Sequence, residues 1–225
     1  MKKCSGNSPG IISGNIYLQG GCLLLCIFLS LCAFPAAASS ANNMAGQVSS
    51  NSTAVQVVEG LHAILLKSMK KGSSLSCRER YKLMEPFILK SFDFPLISRI
   101  VLGHYWRSMD DAERQEFLTA FSSMTVATYA SRFDSYSGEQ FKTIDSKIDD
   151  RGHYRVDTVL IKKDGDEISL SYTCRKVDDH WKIVGVAARG VNDLSLKRAD
   201  YSSFLKKHSI ADLISKLREQ ARKCK

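Results

Sequence analysis

The sequence predicts an α+β fold in which helices come first, an antiparallel sheet follows, and helices return at the end. Apolar residues recur every three or four positions from residue 52 to about residue 134, which is the period of an amphipathic helix. After a break at 135–138 the period changes to two, and turn residues recur at regular spacing. From residue 194 the helical period returns. This order of segments favours a helical layer packed on a four-stranded antiparallel sheet.

The first two helices are predicted from apolar stripes. One begins at Ser52 and ends near Gly72. Its stripe consists of Val55, Val58, Leu61, Leu65 and Met69. A second helix over 75–89 is expected to be interrupted or kinked at Pro86, because proline lacks a backbone donor and clashes with the preceding turn.

Two more helices precede the sheet. Phe94 and Pro95 start the third, since proline fits the first helical turn, and it continues to Gly103. Ser108 is the expected cap of the fourth and longest helix, which ends near residue 134. Its stripe consists of Phe117, Phe121, Met124, Thr128 and Phe133.

Four strands are predicted after the break, at 141–148, 154–161, 168–174 and 180–191. The turns between them are rich in Asp and Gly, and apolar residues alternate with polar ones along the third strand. Consecutive strands joined by short turns form an antiparallel meander. Two C-terminal helices follow, one from Leu194 and one after Ser209.

The N-terminus predicts an exported, periplasmic protein. Residues 1–38 hold two lysines at the start, an apolar run over 22–34 and three alanines at the end, which is the pattern of a cleaved signal peptide. The apolar run is too short for a bilayer, which needs about 20 apolar residues. Residues 39–52 are small and polar, so we expect a flexible lead-in and then a single domain over 53–225.

The chain is basic, with a formal net charge of +9. Removal of Lys2 and Lys3 with the leader, which has no acidic residue, leaves 9 − 2 = +7. A net positive charge of this size favours binding to nucleic acid, anionic membranes or acidic proteins. Export makes nucleic acid the least expected of the three, and no nucleic-acid binding is predicted.

Three of the seven cysteines, Cys77, Cys174 and Cys224, lie outside the leader. An odd number excludes a complete disulfide framework. An oxidising compartment allows one disulfide, and three isolated thiols are the alternative. The spacing of these three cysteines does not indicate which two would form the disulfide.

No motif for metal or nucleotide chemistry occurs. The five histidines are scattered, and C-x-x-C, H-E-x-x-H and phosphate-loop patterns are absent, so we expect no metal and no cofactor. Asp134, His104 and Asp157 are candidates for acid and base chemistry. Carboxylates beside turns and helix ends are more often solvated or capping groups, so no catalytic residue is assigned.

Residues 92–107 carry the most specific pattern of the chain. They read Phe-Asp-Phe-Pro-Leu-Ile-Ser-Arg-Ile-Val-Leu-Gly-His-Tyr-Trp-Arg. This segment resembles the signature of the MlaC and toluene-tolerance family of periplasmic phospholipid-binding proteins. Further similarity lies at 114–117, 129–130, 181–183, 190–191 and 213–218. Within the family, residues 129–141 resemble the hopanoid-associated HpnM subgroup.

The resemblance implies a lipid carrier and not an enzyme. A helical layer and a curved sheet would enclose an apolar pocket that takes phospholipid acyl chains. The implied partners are an inner-membrane ABC transporter complex, an outer-membrane lipoprotein complex and, transiently, the membrane itself. A monomer is expected, because a shuttle must expose the mouth of its pocket to its partners.

Site residues are predicted on the apolar faces of the matching segments. For the lipid pocket they are Val101, Tyr105, Trp106, Phe121, Thr125, Tyr129, Tyr172, Val184 and Val186. Arg107 and Arg132 are the candidates for head-group contact, since guanidinium matches the geometry of phosphate. Two alternatives stay open: a hopanoid carrier, and a small hydrolase or isomerase built on the same fold.

Overall fold

The computed structural model describes residues 53–149 and 152–225. The predicted signal peptide at 1–38 and lead-in at 39–52 lie outside the described residues, so both remain predictions. None of the helices in the described part is long and apolar enough to cross a membrane.

Within the described residues the chain forms seven α-helices and one five-stranded sheet. In order they are α1 (Ala54–Lys71), α2 (Cys77–Ser91), α3 (Phe94–Leu102), α4 (Tyr105–Ser108), α5 (Asp111–Arg132), β1 (Gln140–Ile148), β2 (Tyr154–Ile161), β3 (Glu167–Val177), β4 (His180–Ala188), β5 (Val191–Asn192), α6 (Asp193–Leu205) and α7 (Ile210–Arg222). A 3₁₀ turn, Gly72–Ser74, joins α1 to α2. The predicted α+β class is confirmed.

The predicted cap of the longest helix was wrong by two residues. Asp110 caps α5, and its carboxylate accepts from the backbone N–H of Glu113 at 2.8 Å. The side chain of Glu113 in turn accepts from the N–H of Asp110, which completes a capping box. Ser108 instead ends the short helix α4, where its hydroxyl donates to the carbonyl of Tyr105 at 2.9 Å.

Helix α2 runs through Pro86 without the predicted interruption. Proline removes the backbone donor that would bond the carbonyl of Lys82, one turn earlier. Pro86 and Lys82 are both exposed, so water can satisfy that carbonyl. The helix therefore continues to Ser91.

The sheet is an antiparallel meander in the order β1-β2-β3-β4-β5. The predicted fourth strand is divided, because Arg189 and Gly190 both adopt positive φ, at 51° and 78°. The chain turns back there, and Val191–Asn192 pairs with Ala187 and Ala188 as β5. The structure thus has five strands where four were predicted. Register shifts in β1 and between β3 and β4 mark bulges, which bend and twist a sheet.

The two faces of the sheet differ in polarity. Register places Val156, Tyr172 and Val186 side by side on the inner face, which α1 covers. On the outer face, Arg155 donates to the carboxylate of Asp157 at 2.9 Å. One face of the meander therefore belongs to the core and the other meets solvent.

Helix α5 lies at the centre of the helical layer and packs against α2, α3 and α7. Most buried apolar residues of the described part form one contiguous cluster that joins this layer to the inner face of the sheet. Its largest fully buried side chains are Phe117, Phe121, Leu61, Leu65, Met84, Ile88, Leu102, Ile183, Leu213, Leu217, Val58 and Val101.

A disulfide joins Cys77, the first residue of α2, to Cys224, which follows α7. The two cysteines are 147 positions apart in the sequence. Cys174 stays free on the inner face of β3, where burial raises the pKa of its thiol to about 12. The pair that the spacing left open is thus Cys77 with Cys224.

Candidate functional site

Helix α5 presents one continuous stripe to the interior. Its residues are Phe117, Phe121, Thr125, Tyr129 and Phe133, each four positions from the last, with Phe133 just past the end of α5. The rings of Phe117 and Phe121 stack at 5.6 Å, and those of Tyr129 and Phe133 stack at 5.9 Å. Phe117 and Phe121 are fully buried, whereas the later three side chains keep part of their surface.

Helix α6 faces this stripe without packing closely on it. The backbone of α6 packs against α3 and β4. Side chains bridge the two helices: the ring of Tyr201 meets those of Phe117 and Phe121 edge-on, each at 6.3 Å between centroids. We call the space between the backbones of α5 and α6, which these side chains enter, the α5–α6 gap.

Tyr129 and Tyr201 border this gap from opposite sides. Desolvation by burial raises the pKa of both hydroxyls, and the negative charge of Asp193 raises both further. Both side chains nevertheless remain partly accessible.

A buried polar pair lies on the sheet side of the same interior. His62 of α1 and the hydroxyl of Tyr172 in β3 are 3.0 Å apart, and the His62 ring stacks on Phe141 at 4.1 Å. Desolvation lowers the pKa of His62 to about 4 and raises that of Tyr172 well above its ordinary value. Both groups are therefore neutral at neutral pH.

The family model for the MlaC protein matches residues 59–219, from α1 into α7. The chain belongs to the MlaC family. This match includes every described strand and both sides of the α5–α6 gap.

Two relatives of this MlaC family member carry names that describe a ligand. The intermembrane phospholipid transport system binding protein MlaC of Haemophilus influenzae is 26% identical over 125 residues, which cover 54% of this chain and 58% of that protein. The chain thus matches less than two thirds of that relative's length. The phospholipid-binding protein of Ralstonia solanacearum, solved in complex with a phospholipid, is 17% identical, with a TM-score of 0.66 over 77% of this chain and 99% of the other. At that identity the likeness shows the fold alone.

Several predicted pocket residues of the MlaC family member come together. Thr125 and Tyr129 lie on the α5 stripe and border the gap, and Val186 lies beside Tyr172 on the inner face of the sheet. Val101, Phe121 and Tyr172 are at most 3% exposed, so they form the floor of the interior and not an open wall.

The remaining predicted pocket residues lie on α4 and β4, and two of them, Tyr105 and Trp106, pack against the core cluster. Tyr105 and Trp106 are half-buried in α4, where the guanidinium of Arg114 stacks 5.6 Å from the Trp106 ring and donates to its carbonyl. Val184 is the bulged residue of β4 and is buried outside the contiguous core cluster. Simple alternation along the strand does not hold at a bulge, so the sequence pattern does not fix which way Val184 faces.

The two predicted head-group arginines differ in position. Arg132 ends α5 and lies close enough to Tyr129 for its charge to lower the pKa of that hydroxyl, although desolvation and Asp193 outweigh it. Arg107 is exposed on α4. Arg132 is exposed as well, at the C-terminal end of α5, so exposure does not distinguish the two arginines.

The candidate acid and base residues are not brought together. Asp157 pairs with Arg155 on the outer face of the sheet, and Asp134 is exposed beyond α5. His104 stacks on Tyr105 at 4.0 Å. Over the described ranges there is also no group of His, Cys, Asp and Glu side chains arranged to hold a metal ion.

Sequence reasoning missed two residues of this interior, His62 and Tyr201. His62 lies within the apolar stripe of α1, and a lone histidine there carries no functional signal. Tyr201 lies in α6, and the helical period does not show that its ring meets Phe117 and Phe121 of α5.

Proposed function

We propose that this MlaC family member is a periplasmic phospholipid carrier that shuttles lipid between membranes or membrane complexes as part of an ABC-type system. The observation that carries the proposal is the α5–α6 gap, which partly accessible side chains border: Thr125 and Tyr129 on α5, and Tyr201 on α6. Membership of the MlaC family and the phospholipid named for both relatives support it.

The energetics of such a carrier favour exchange between membranes over capture from water. Burial contributes about 0.8 kcal/mol per methylene, so two chains of about sixteen carbons would sum to about 25 kcal/mol. That exceeds the practical limit of about 18 to 21 kcal/mol for non-covalent complexes. A lipid that leaves a bilayer was already buried and gains little, so the carrier acts by lowering the barrier to exit through docking at a donor or acceptor.

A basic surface supports docking on anionic membranes or acidic partners. Its residues are Lys197, Arg198, Lys206, Lys207, Arg218, Arg222, Lys223 and Lys225. Lys197 pairs with Asp193 and Arg218 pairs with Glu116. Among the described residues the other six have no carboxylate partner, so their charges remain available for long-range attraction.

The buried pair of His62 and Tyr172 gives little support to an enzyme. A general base works best with a pKa near the operating pH. Burial lowers the pKa of His62 to about 4 and raises that of Tyr172, which moves both away from neutral pH. The pair instead satisfies two polar groups inside an apolar interior.

The matches reported above name a phospholipid and give no support to the hopanoid subgroup. The resemblance at 129–141 covers the end of α5 and the start of β1, where Tyr129 and Phe133 stack. Aromatic stacking of this kind suits any apolar ligand, so it does not favour a hopanoid over a phospholipid.

Native mass spectrometry of the full chain, exported and purified from the periplasm without detergent, tests the carrier function. We expect one co-purifying phospholipid per chain, identified by lipid extraction. The variant Thr125→Trp should lose most of this lipid, because indole fills the α5–α6 gap.

Thr119→Trp is the matched control. Thr119 and Thr125 lie on the same helix, and each hydroxyl donates to the carbonyl four residues earlier, at 2.9 and 2.8 Å. Thr119 is exposed, so its variant should keep the lipid. A lipid-free wild type that also takes up no lipid from vesicles would contradict the proposal.

A further inference from the structure

Strand β1 forms an open edge of the sheet over its second half. It is the first strand in the order β1-β2-β3-β4-β5, and within residues 53–149 and 152–225 no strand pairs with its other side. Helix α1 reaches β1 at Thr143, whose hydroxyl donates to the carboxylate of Glu59 at 3.0 Å. Residues 144–148 follow that contact and lead to the end of the strand. An open edge of this kind is a template for pairing with another strand.

Two isoleucines of this segment are strongly exposed. Ile144 is 57% exposed and Ile148 is 64% exposed, which is uncommon among the large apolar side chains of the described part. Between them, the side chains of Asp145 and Lys147 are 56% and 60% exposed. Burial of apolar surface is favourable, so the two isoleucines favour a partner that covers them.

The backbone of Ser146 faces the open edge. Asp149 donates its N–H to the carbonyl of His153, on the side of β2, at 2.8 Å. Backbone direction alternates along a strand, so Lys147 and Asp145 also face β2, whereas Ser146 faces away. In agreement with this direction, the N–H of Ser146 donates to the carboxylate of Asp145 at 2.8 Å and not to a strand. The Ser146 N–H and carbonyl are therefore placed to bond a further strand.

The segment is complementary to a second copy of itself. When two β1 strands run antiparallel with Ser146 opposite Ser146, Ile144 of each copy lies opposite Ile148 of the other. Asp145 likewise lies opposite Lys147, and this occurs twice because the pairing is two-fold symmetric. The backbone direction also fits, since two outward-facing Ser146 residues exchange both of their backbone hydrogen bonds. Apolar character and charge thus match along the whole segment.

We propose that residues 144–148 form the interface of a homodimer in which two β1 strands pair across a two-fold axis at Ser146. In this dimer the N–H of each Ser146 donates to the carbonyl of Ser146 in the other copy. The carboxylate of Asp145 turns from the Ser146 N–H to the ammonium of Lys147 in the other copy. The sheets of the two copies become one continuous sheet.

The contacts that are exchanged make this a weak dimer. In the single chain, Asp145 bonds the Ser146 N–H and lies 3.8 Å from the ammonium of Lys147, and exposed contacts of this kind contribute little. The dimer replaces them with reciprocal backbone bonds, cross-strand ion pairs and covered isoleucines. A contact confined to one strand edge is smaller than the about 1,200 Å² of stable complexes, so association requires high concentration.

The dimer leaves the α5–α6 gap uncovered. Helix α6 packs against α3 and β4, and β4 lies on the opposite side of the sheet from β1. Exposure of the pocket mouth was the reason to expect a monomer, and pairing through β1 keeps that exposure. The dimer does not depend on the proposed carrier function.

Sedimentation velocity of the full chain, exported and purified from the periplasm, tests the interface. We expect the wild type to shift from monomer toward dimer as its concentration rises from about 5 to 500 µM, the range of weak complexes. Asp145→Lys and Lys147→Asp should each weaken dimerisation at least about tenfold, because like charges then face each other twice. An equimolar mixture of these two variants should dimerise like the wild type, because every charged pair is again of opposite sign.

Glu219→Lys is the matched control, since it changes the net charge as Asp145→Lys does, at an exposed position of α7. It should leave the monomer–dimer equilibrium unchanged. Ser146→Pro should abolish the dimer and keep the far-UV circular dichroism of the wild type, because proline removes an N–H that faces away from β2. A wild type that stays monomeric over this range would overturn the proposal. A mixture of the two charge variants that associates no more than either alone would overturn it as well.

Discussion

At the scale of single residues, His62 and Tyr172 show how a polar group is kept inside an apolar interior. His62 is 5% exposed and Tyr172 is 3% exposed, and each is the other's hydrogen-bond partner across 110 positions of sequence. Leaving either group buried without a partner would cost about 1–3 kcal/mol. The pair thus joins α1 to the sheet, and burial favours the neutral form of both groups by lowering the pKa of His62 and raising that of Tyr172.

This pair predicts a stability that falls in acid. The pKa of His62 is about 4 in the folded protein, against 6.5 when unfolded, so between these values the unfolded chain binds a proton that the folded protein does not. The free energy of unfolding is therefore highest above pH 6.5 and decreases as the pH falls toward 4. Urea unfolding measures this decrease. Between pH 7 and pH 4, the free energy of unfolding of the wild type should fall by about 3 kcal/mol more than that of His62→Gln.

His180→Gln is the control for that series, because His180 is an exposed histidine at the start of β4. It should keep the acid dependence of wild type. The same dependence on pH in His62→Gln as in wild type would show that His62 is not the group responsible.

At the scale of elements, Arg80 holds the end of one helix against the connection between two others. Its guanidinium donates to the carbonyl of Ala130 at 2.8 Å and to that of Leu75 at 2.5 Å. Ala130 lies in the last turn of α5, where carbonyls have no partner within the helix. Arg80 is only 8% exposed, so it caps α5 from inside the protein.

Arg80→Met should lower the free energy of unfolding by about 2–3 kcal/mol, because it leaves buried carbonyls without a donor. Arg78→Met, at an exposed position of the same helix, should change it by less than about 0.5 kcal/mol. Urea unfolding of the two variants measures the difference. Equal urea midpoints for Arg80→Met and Arg78→Met would rule out the capping role of Arg80.

At the scale of the whole molecule, the disulfide closes nearly the entire described chain into one loop. Cys77 and Cys224 are 147 positions apart, and the loop between them contains α3, α5 and the whole sheet. Cross-linking so long a loop restricts the unfolded chain strongly, by about 5 kcal/mol in the chain-entropy account. It also fastens the end of α7, which packs along α5.

The double variant Cys77→Ser with Cys224→Ser should lower the free energy of unfolding by about 3–5 kcal/mol. Addition of dithiothreitol to the wild type should do the same, whereas it should leave the double variant unaffected. Cys174→Ala, with the disulfide intact, should keep the sensitivity to reductant. A wild type that does not respond to reductant under unfolding conditions would contradict this role.

Much of the fold could be predicted because its signals are local. The bounds of β2 match the prediction, and α3 begins at Phe94 as expected, since turns, proline and apolar period act within a few residues. The errors lie where local signals compete. Ser108 and Asp110 are both good caps, and a strand pattern continues through Arg189 and Gly190 although the backbone turns there.

The candidate site was predicted only in part. Thr125 and Tyr129 followed from the stripe of α5, because a helical period reveals which face is inside. Tyr201 did not, because the same period does not reveal which neighbour a helix faces. The direction of Val184 did not follow either, because a bulge interrupts the alternation of a strand.

The amino-acid sequence by itself determined the class of the fold, the order of its elements and the likeness to the MlaC family, because periodicity, caps, turns and motifs are properties of neighbouring residues. Only the tertiary structure decided that Cys77 joins Cys224, that His62 meets Tyr172, and that α6 faces α5 across a gap. Each of these depends on residues that are distant in the chain and meet only when the helices close over the sheet.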